Sequence, residues 1–178
     1  LRSWNVNVVR YWISAYAWVF NGKDLTELRK RIEKRLENFD RIAPLAEKYG
    51  IRLILCYGLP PGGRRNDATL EMQCDPALAD YYVKMWELIA RHCKGSKAVW
   101  GYDLINEPQQ TTELVIDYLE IQRRAAEAIR RIDPDVPLIV ESNLLASPEM
   151  FRFLEPLKMK DVIYQAHMYV PAGFTHST

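Results

Sequence analysis

The sequence predicts an α/β chain with a parallel sheet, of the TIM (β/α)8-barrel type but incomplete, with about five parallel βα units. Three observations carry that reading. Five β-branched or aromatic runs alternate with helical patterns along the chain. The strand starts lie roughly 25 to 45 residues apart, which suits right-handed βαβ crossovers. No strand is followed by Gly-x-Gly-x-x-Gly or Gly-x-x-x-x-Gly-Lys, the phosphate-binding turns of doubly wound nucleotide folds. A complete eight-unit barrel takes ~250 residues. The 178 residues are therefore read as a single partial barrel domain spanning 1–178, with both ends cut.

The elements follow in order. Residues 6–13 form a β-branched and aromatic run, the first strand. Asp24 then reads as an N-cap with Glu27 three residues on, a capping box. Leu25, Leu28, Ile32, Leu36 and Phe39 recur at steps of three and four, an amphipathic helix that Pro44 should kink or restart and Gly50 should end. Residues 52–57 are the second strand, followed by the breaker-rich loop Gly58-Leu59-Pro60-Pro61-Gly62-Gly63. A helix over 76–92, a strand over 97–106, a helix over 112–131 and a short strand over 138–141 come next. A short helix over 148–157 and a fifth strand over 162–169 complete the pattern.

Composition narrows the function. Lys+Arg number 24 against 23 Asp+Glu, a net charge of +1, so no single-sign field drives binding to nucleic acid or to an anionic membrane. No run of ~18 apolar residues is present to span a bilayer. Cys56, Cys74 and Cys93 are odd in number, lack a Cys-x-x-Cys and have no His at ligand spacing, which points to buried or free thiols rather than a metal site. No cofactor motif is visible.

In parallel α/β folds the chemistry sits at the C-terminal strand ends. The third strand ends Tyr102-Asp103-Leu104-Ile105-Asn106-Glu107-Pro108. Pro108 cannot extend the ladder, so Glu107 should stand where the strand stops. Strand alternation would put Asp103, Ile105 and Glu107 on one face. A carboxyl at a barrel mouth against Trp and Tyr has its ionisation disfavoured, which suits a general acid. The fifth strand ends in His167 and Tyr169, two apart and so on one face, placed to bind a polyol. Arg10, followed by Trp12, closes the first strand, where a guanidinium would hold a carboxylate ionised. Taken singly, Asn-Glu-Pro also fits a turn, His167 a structural histidine, Arg10 an ordinary ion pair, and Trp12, Trp18, Trp86 and Trp100 core. The sharper reading rests on Arg10, Glu107, His167 and Tyr169 sharing one rim.

These residues carry a resemblance. The stretch 102–108 resembles the fourth-strand motif of glycoside hydrolase family 5, the cellulase family, part of a clan of retaining glycosidases on (β/α) barrels. His167-Met168-Tyr169-Val170-Pro171 through Phe174-Thr175-His176 resembles its sixth-strand motif. Asn5-Val6-Asn7-Val8-Val9-Arg10 resembles its second strand, and residues 53–63 its third strand and Pro-Gly loop. Under the resemblance Glu107 is the general acid/base, and Asn106 bonds the sugar's 2-hydroxyl. His167 and Tyr169 line the cleavage subsite, while Arg10 supports the nucleophile. Trp12 is expected to shape the cleft. Where the family commonly reads Asp-x-His, this sequence has Cys56-Tyr57-Gly58. The chain matches strands two to six, and the family's nucleophile, a glutamate on the seventh strand, is expected outside it. Glu141 ends the neighbouring strand and is read as structural rather than as an improvised base.

The resemblance implies a retaining hydrolase of β-linked polysaccharide, cellulase-like, needing no metal or cofactor and working outside cells. One alternative is a carbohydrate-binding fragment that turns nothing over without its missing strands. Another is a different barrel enzyme in which Glu107 abstracts a proton. The open edges of a five-stranded arc predict self-association or pairing with a complementing chain.

Overall fold

The computed structural model describes residues 1–14 and 21–175. Trp18 and His176 of the sequence reading lie outside the described residues. Five strands form one sheet in chain order, each parallel to the next: β1 (Val8–Trp12), β2 (Arg52–Cys56), β3 (Val99–Asp103), β4 (Leu138–Glu141) and β5 (Val162–Gln165). Three long helices make the crossovers: α1 (Leu25–Lys48), α2 (Pro76–Cys93) and α3 (Tyr118–Ile132). Among the described residues, β1 and β5 are the edges of this arc.

Each helix begins on an aspartate. Asp24, Asp75 and Asp117 accept the backbone N–H of Glu27, Ala77 and Leu119 at 3.0, 2.9 and 2.7 Å. These bonds satisfy donors that have no partner within the helix. In α1 the predicted apolar stripe is the buried one: Leu28, Ile32, Leu36 and Phe39 face the sheet. Pro44 neither kinks nor restarts α1, which runs unbroken to Lys48. Its ring lies on the exposed side, so the Asp40 carbonyl that loses a partner is on the outer surface. Gly50 follows with φ of 65°, the left-handed end expected of it.

Boundaries shift where side chains compete for backbone groups. The third strand is shorter than predicted because α2 captures its exit. Tyr82 Oη and Trp86 Nε1 both donate to the Leu104 carbonyl, at 2.5 and 3.0 Å. With that carbonyl taken from the helix side, the ladder ends at Asp103 and the chain turns into the mouth of the sheet. The parity argument that set Asp103, Ile105 and Glu107 on one face therefore fails: Ile105 is fully buried in the core and Glu107 lies outside the strand. Residues 112–117 are an irregular approach to α3 rather than its first turn, since Asp117 supplies the cap. The helix expected over 148–157 is a 3-10 segment, Pro148–Phe153, and β5 ends four residues early at Gln165.

The core lies between the sheet and the helices. Tyr57, Tyr82, Trp86 and Tyr102 form its aromatic centre, with ring centroids 5.0 to 5.6 Å apart. All four are fully buried, and Trp86 is core as the sequence reading allowed. This block underlies the β3 exit, so apolar packing fixes the backbone from which the polar residues of the mouth project. Cys56, Cys74 and Cys93 are free thiols, with Cys56 and Cys93 buried.

Candidate active site

The ends of β1, β3, β4 and β5 converge on one buried charge. Glu141, at the last position of β4, is fully buried and accepts from four directions. Its Oε1 takes Arg10 Nη2 at 2.6 Å and Gln165 Nε2 at 2.9 Å, and stands 3.3 Å from His167 Nε2. Its Oε2 takes the backbone N–H of Glu107 at 2.6 Å. The lone pairs of this carboxylate are thus committed, and burial without those donors would be costly.

Arg10 spreads its fork over the same rim. Nε donates to Asp103 Oδ2 at 2.6 Å and Nη1 to Asn106 Oδ1 at 2.9 Å. The fork geometry explains why an arginine stands here rather than a lysine: one guanidinium aligns three acceptors on two strands and a loop. Trp12 lies beside it, with the guanidinium carbon 5.5 Å from the ring centroid. Asp103 is fully buried, and its pKa is pushed up to about 7 by that burial and by Glu141 beside it, against the pull of Arg10. The sequence reading had Arg10 hold a carboxylate ionised; at Asp103 burial outweighs the pull of Arg10.

Glu107 reaches the same cluster from an unusual backbone. Its φ is 53°, the left-handed region that a non-glycine residue occupies at a cost of order 1–3 kcal/mol. Its carboxylate Oε1 is 2.7 Å from His167 Nδ1, and its side chain stays partly exposed at 29%. The sequence expectation of a carboxyl with disfavoured ionisation is overturned. The hydrogen bond from His167 outweighs desolvation, and the Glu107 pKa lies below the ordinary carboxylate value. The reciprocal effect is large. His167 is raised from 6.5 to about 9, first by Glu107 and next by Glu141. At neutral pH the pair is an imidazolium between two carboxylates, so the proton rests on His167.

That charge state predicts a pH dependence of folding. A histidine whose pKa is raised in the folded state stabilises the fold fully below 6.5, and this contribution disappears as pH rises through about 9. Glu107 belongs to the same ion pair, and its share is lost only as pH falls below the carboxylate range. Denaturant unfolding is expected to show a loss of about 2 kcal/mol between mildly acidic and mildly alkaline pH. Asp103, with its pKa of about 7, gives a loss of its own only below that pH, so the part of the loss above pH 7 belongs to His167 and should be absent in a His167→Gln variant. A wild-type curve parallel to that of the variant would disprove the bridge.

The remaining candidates fall around this cluster. Tyr169 stands edge-on to His167, with ring centroids 6.5 Å apart and rings at 87°, and is half exposed. The predicted residues Arg10, Asn106, Glu107 and His167 are brought together by hydrogen bonds, and Trp12 and Tyr169 flank them. Sequence reasoning missed Gln165, which orients Glu141, and Arg64, which donates from Nη2 to the carbonyls of Asn106 and Glu107 at 2.8 Å each. The available signal for Arg64 was an arginine directly after Pro-Pro-Gly-Gly, in the breaker-rich loop that follows the second strand. The left-handed turn over Asn143–Ala146 also escaped notice. Asn143 exchanges hydrogen bonds with Gln110 there, at 2.8 and 2.7 Å, tying the loop after β4 to the loop after β3.

Comparison with known proteins places this arrangement. The family model for cellulase (glycosyl hydrolase family 5) matches residues 1–178. Endoglucanase C of Acetivibrio thermocellus is 28% identical over 150 residues, covering 81% of this chain and 42% of that protein. A beta-xylosidase of Phanerodontia chrysosporium is 26% identical over 147 residues, covering 78% of this chain and 30% of that protein. The solved structure of Pseudomonas stutzeri endoglucanase Cel5A in complex with cellobiose superposes with a TM-score of 0.71 at 21% identity, covering 94% of this chain and 49% of that one. The chain spans less than half the length of these relatives. The family match runs along the whole length, and the chain belongs to glycosyl hydrolase family 5, the cellulase family.

Proposed function

We propose that the chain is the part of one (β/α) barrel domain that supplies the acid/base half of a retaining β-glycosidase acting on β-linked glucan. The observation that carries this is the Glu107–His167 pair: a partly exposed carboxylate at the mouth whose Oε1 lies 2.7 Å from His167 Nδ1. Retaining hydrolysis takes two carboxyl groups about 5–5.5 Å apart. Glu107 fills the first role. It passes the proton, received from His167 Nδ1, to the leaving glycosidic oxygen, and later draws one from the attacking water.

Asp103 and Glu141 are fully buried and bound to Arg10, so neither is free to attack an anomeric carbon. By the family resemblance the nucleophilic carboxylate comes from outside residues 1–178, with Arg10 supporting it. Asn106 holds the 2-hydroxyl, with His167, Tyr169 and Trp12 lining the subsite. The names of the curated relatives favour β-glucan, and the beta-xylosidase keeps a xylan-derived substrate in the test. Digestion of a polymer places the work outside the cell.

Hydrolysis of soluble β-1,4-glucan, β-mannan and β-xylan by the protein that supplies the second carboxylate, and by its Glu107→Gln variant, tests the reading. Turnover abolished by the substitution supports it. Sugar binding with no turnover even when the second carboxylate is supplied favours the second reading, a carbohydrate-binding fragment; the two other carboxylates of the Arg10 cluster, Asp103 and Glu141, are buried. Among the described residues no further strand pairs with β1 or β5, and such edges favour self-association or a complementing chain. Sedimentation is expected to show species larger than a monomer. A clean monomer that unfolds cooperatively would contradict that expectation.

A further inference from the structure

Glu107 is held in a backbone conformation that glutamate does not choose, and both ends of the strained segment are gripped by side chains from other elements. Its N–H goes to Glu141 of β4 at 2.6 Å. Its C=O, and that of Asn106 before it, go to the single nitrogen Nη2 of Arg64, each at 2.8 Å. Nη1 of the same guanidinium donates to the Ala68 carbonyl at 3.0 Å, which fixes the fork within its own loop.

That loop is itself built to one shape. Gly62 and Gly63 have φ of 79° and 76°. A Cβ at Gly63 would come within 2.1 Å of the Asn21 carbonyl, so no other residue fits. The N–H of Gly62 bonds the Gly22 carbonyl at 2.8 Å, and the Gly63 carbonyl accepts from Glu71 at 3.0 Å. The chain therefore delivers Arg64 to a fixed point, from which a planar fork reaches two successive carbonyls.

We propose that Arg64 is a positioning residue for the proposed reaction: by clamping the Asn106 and Glu107 carbonyls opposite the Glu141 grip, it holds the Glu107 carboxylate on His167 and over the cleavage subsite. This extends the acid/base reading of Glu107 to a residue that touches neither substrate nor reacting atom. A peptide held left-handed at both ends swings its side chain over a narrow arc. Released at one end it relaxes to an ordinary conformation, and the side chain leaves the imidazole.

The consequence can be read on His167. The groups facing it are the Glu107 and Glu141 carboxylates, the Arg10 guanidinium, the Gln165 amide 3.1 Å from Nε2, and the Tyr169 ring. Charge and position predict opposite signs. Removing the positive Arg64 without moving Glu107 leaves the His167 midpoint at about 9 or raises it. Removing it and losing the Glu107 contact lowers the midpoint, because the partner that raises it most has gone.

The experiment is an NMR titration of the His167 ring in the 178-residue chain, in Arg64→Met, in Arg64→Lys, and in Arg65→Met as a control. The exposed Arg65 faces Glu71 and Cys74 and does not reach the clamp. Expected are a midpoint lowered by more than one pH unit in Arg64→Met and an unchanged midpoint in Arg65→Met. Arg64→Lys, which keeps the charge but loses the fork, should fall between them. A folded Arg64→Met chain whose midpoint stays put or rises would overturn the proposal. Should Arg64→Met fail to fold, the Arg64→Lys chain decides alone: a midpoint equal to that of the parent refutes the clamp. No substrate enters the titration, so its outcome is separable from that of the hydrolysis assay.

Discussion

Glu107→Gln is expected to lower kcat at least ~100-fold in the protein that supplies the second carboxylate, since acid/base groups contribute typically 10²–10⁴-fold. Glutamine keeps the shape of the side chain and its reach toward His167, but it has no proton to give to the glycosidic oxygen. Binding should therefore survive while turnover does not. Substrates whose leaving group departs without protonation should lose far less in the first step, because only the protonation has been removed. A uniform loss across leaving groups would count against an acid role. The isolated 178 residues give an independent readout: without the carboxylate the His167 midpoint should fall well below about 9, the remaining elevation coming from Glu141. An unchanged midpoint would mean that the 2.7 Å contact does not control the proton.

Glu141→Ala is expected to cost about 3–5 kcal/mol of stability, the range for removing one partner of a buried ion pair. Glu141 is fully buried, and the truncation removes the acceptor of the Glu107 N–H and one partner each of Arg10 Nη2 and the Gln165 amide. Glu141→Gln should cost less, because an amide oxygen still accepts while the charge is lost. Denaturant midpoints of the two variants check this ordering. A loss below about 1 kcal/mol in Glu141→Ala would show that Arg10 is held by Asp103 alone.

The architecture was legible because its signals are local. The apolar spacing along α1, the aspartate caps and the β-branched runs are properties of short windows, and they fixed the order and type of every major element. Arg10, Asn106, Glu107 and His167 were legible for a different reason: a parallel sheet sends all its strand ends to one rim. The errors arose where distant groups decide local structure. Strand parity could not anticipate that Tyr82 and Trp86, 22 and 18 residues away, would take the Leu104 carbonyl and end β3. The charge of Glu107 was misjudged because the aromatic neighbours expected to suppress its ionisation lie beneath the strand exit, while a histidine 60 residues on stands against the carboxylate. Arg64 acts on carbonyls 42 and 43 residues away, a relation no spacing rule encodes.

The sheet order has a consequence for how the molecule comes into being. Each strand pairs with its immediate predecessor in the chain, so every βα unit can dock on a surface that synthesis has already completed. The charged cluster does not share that convenience. Arg10 emerges early, while its partners Asp103 and Glu141 lie 93 and 131 residues later. On the ribosome these five strands can thus assemble progressively, each on the one before it. The electrostatic lock that joins β1 to β4 closes only once β4 has been made.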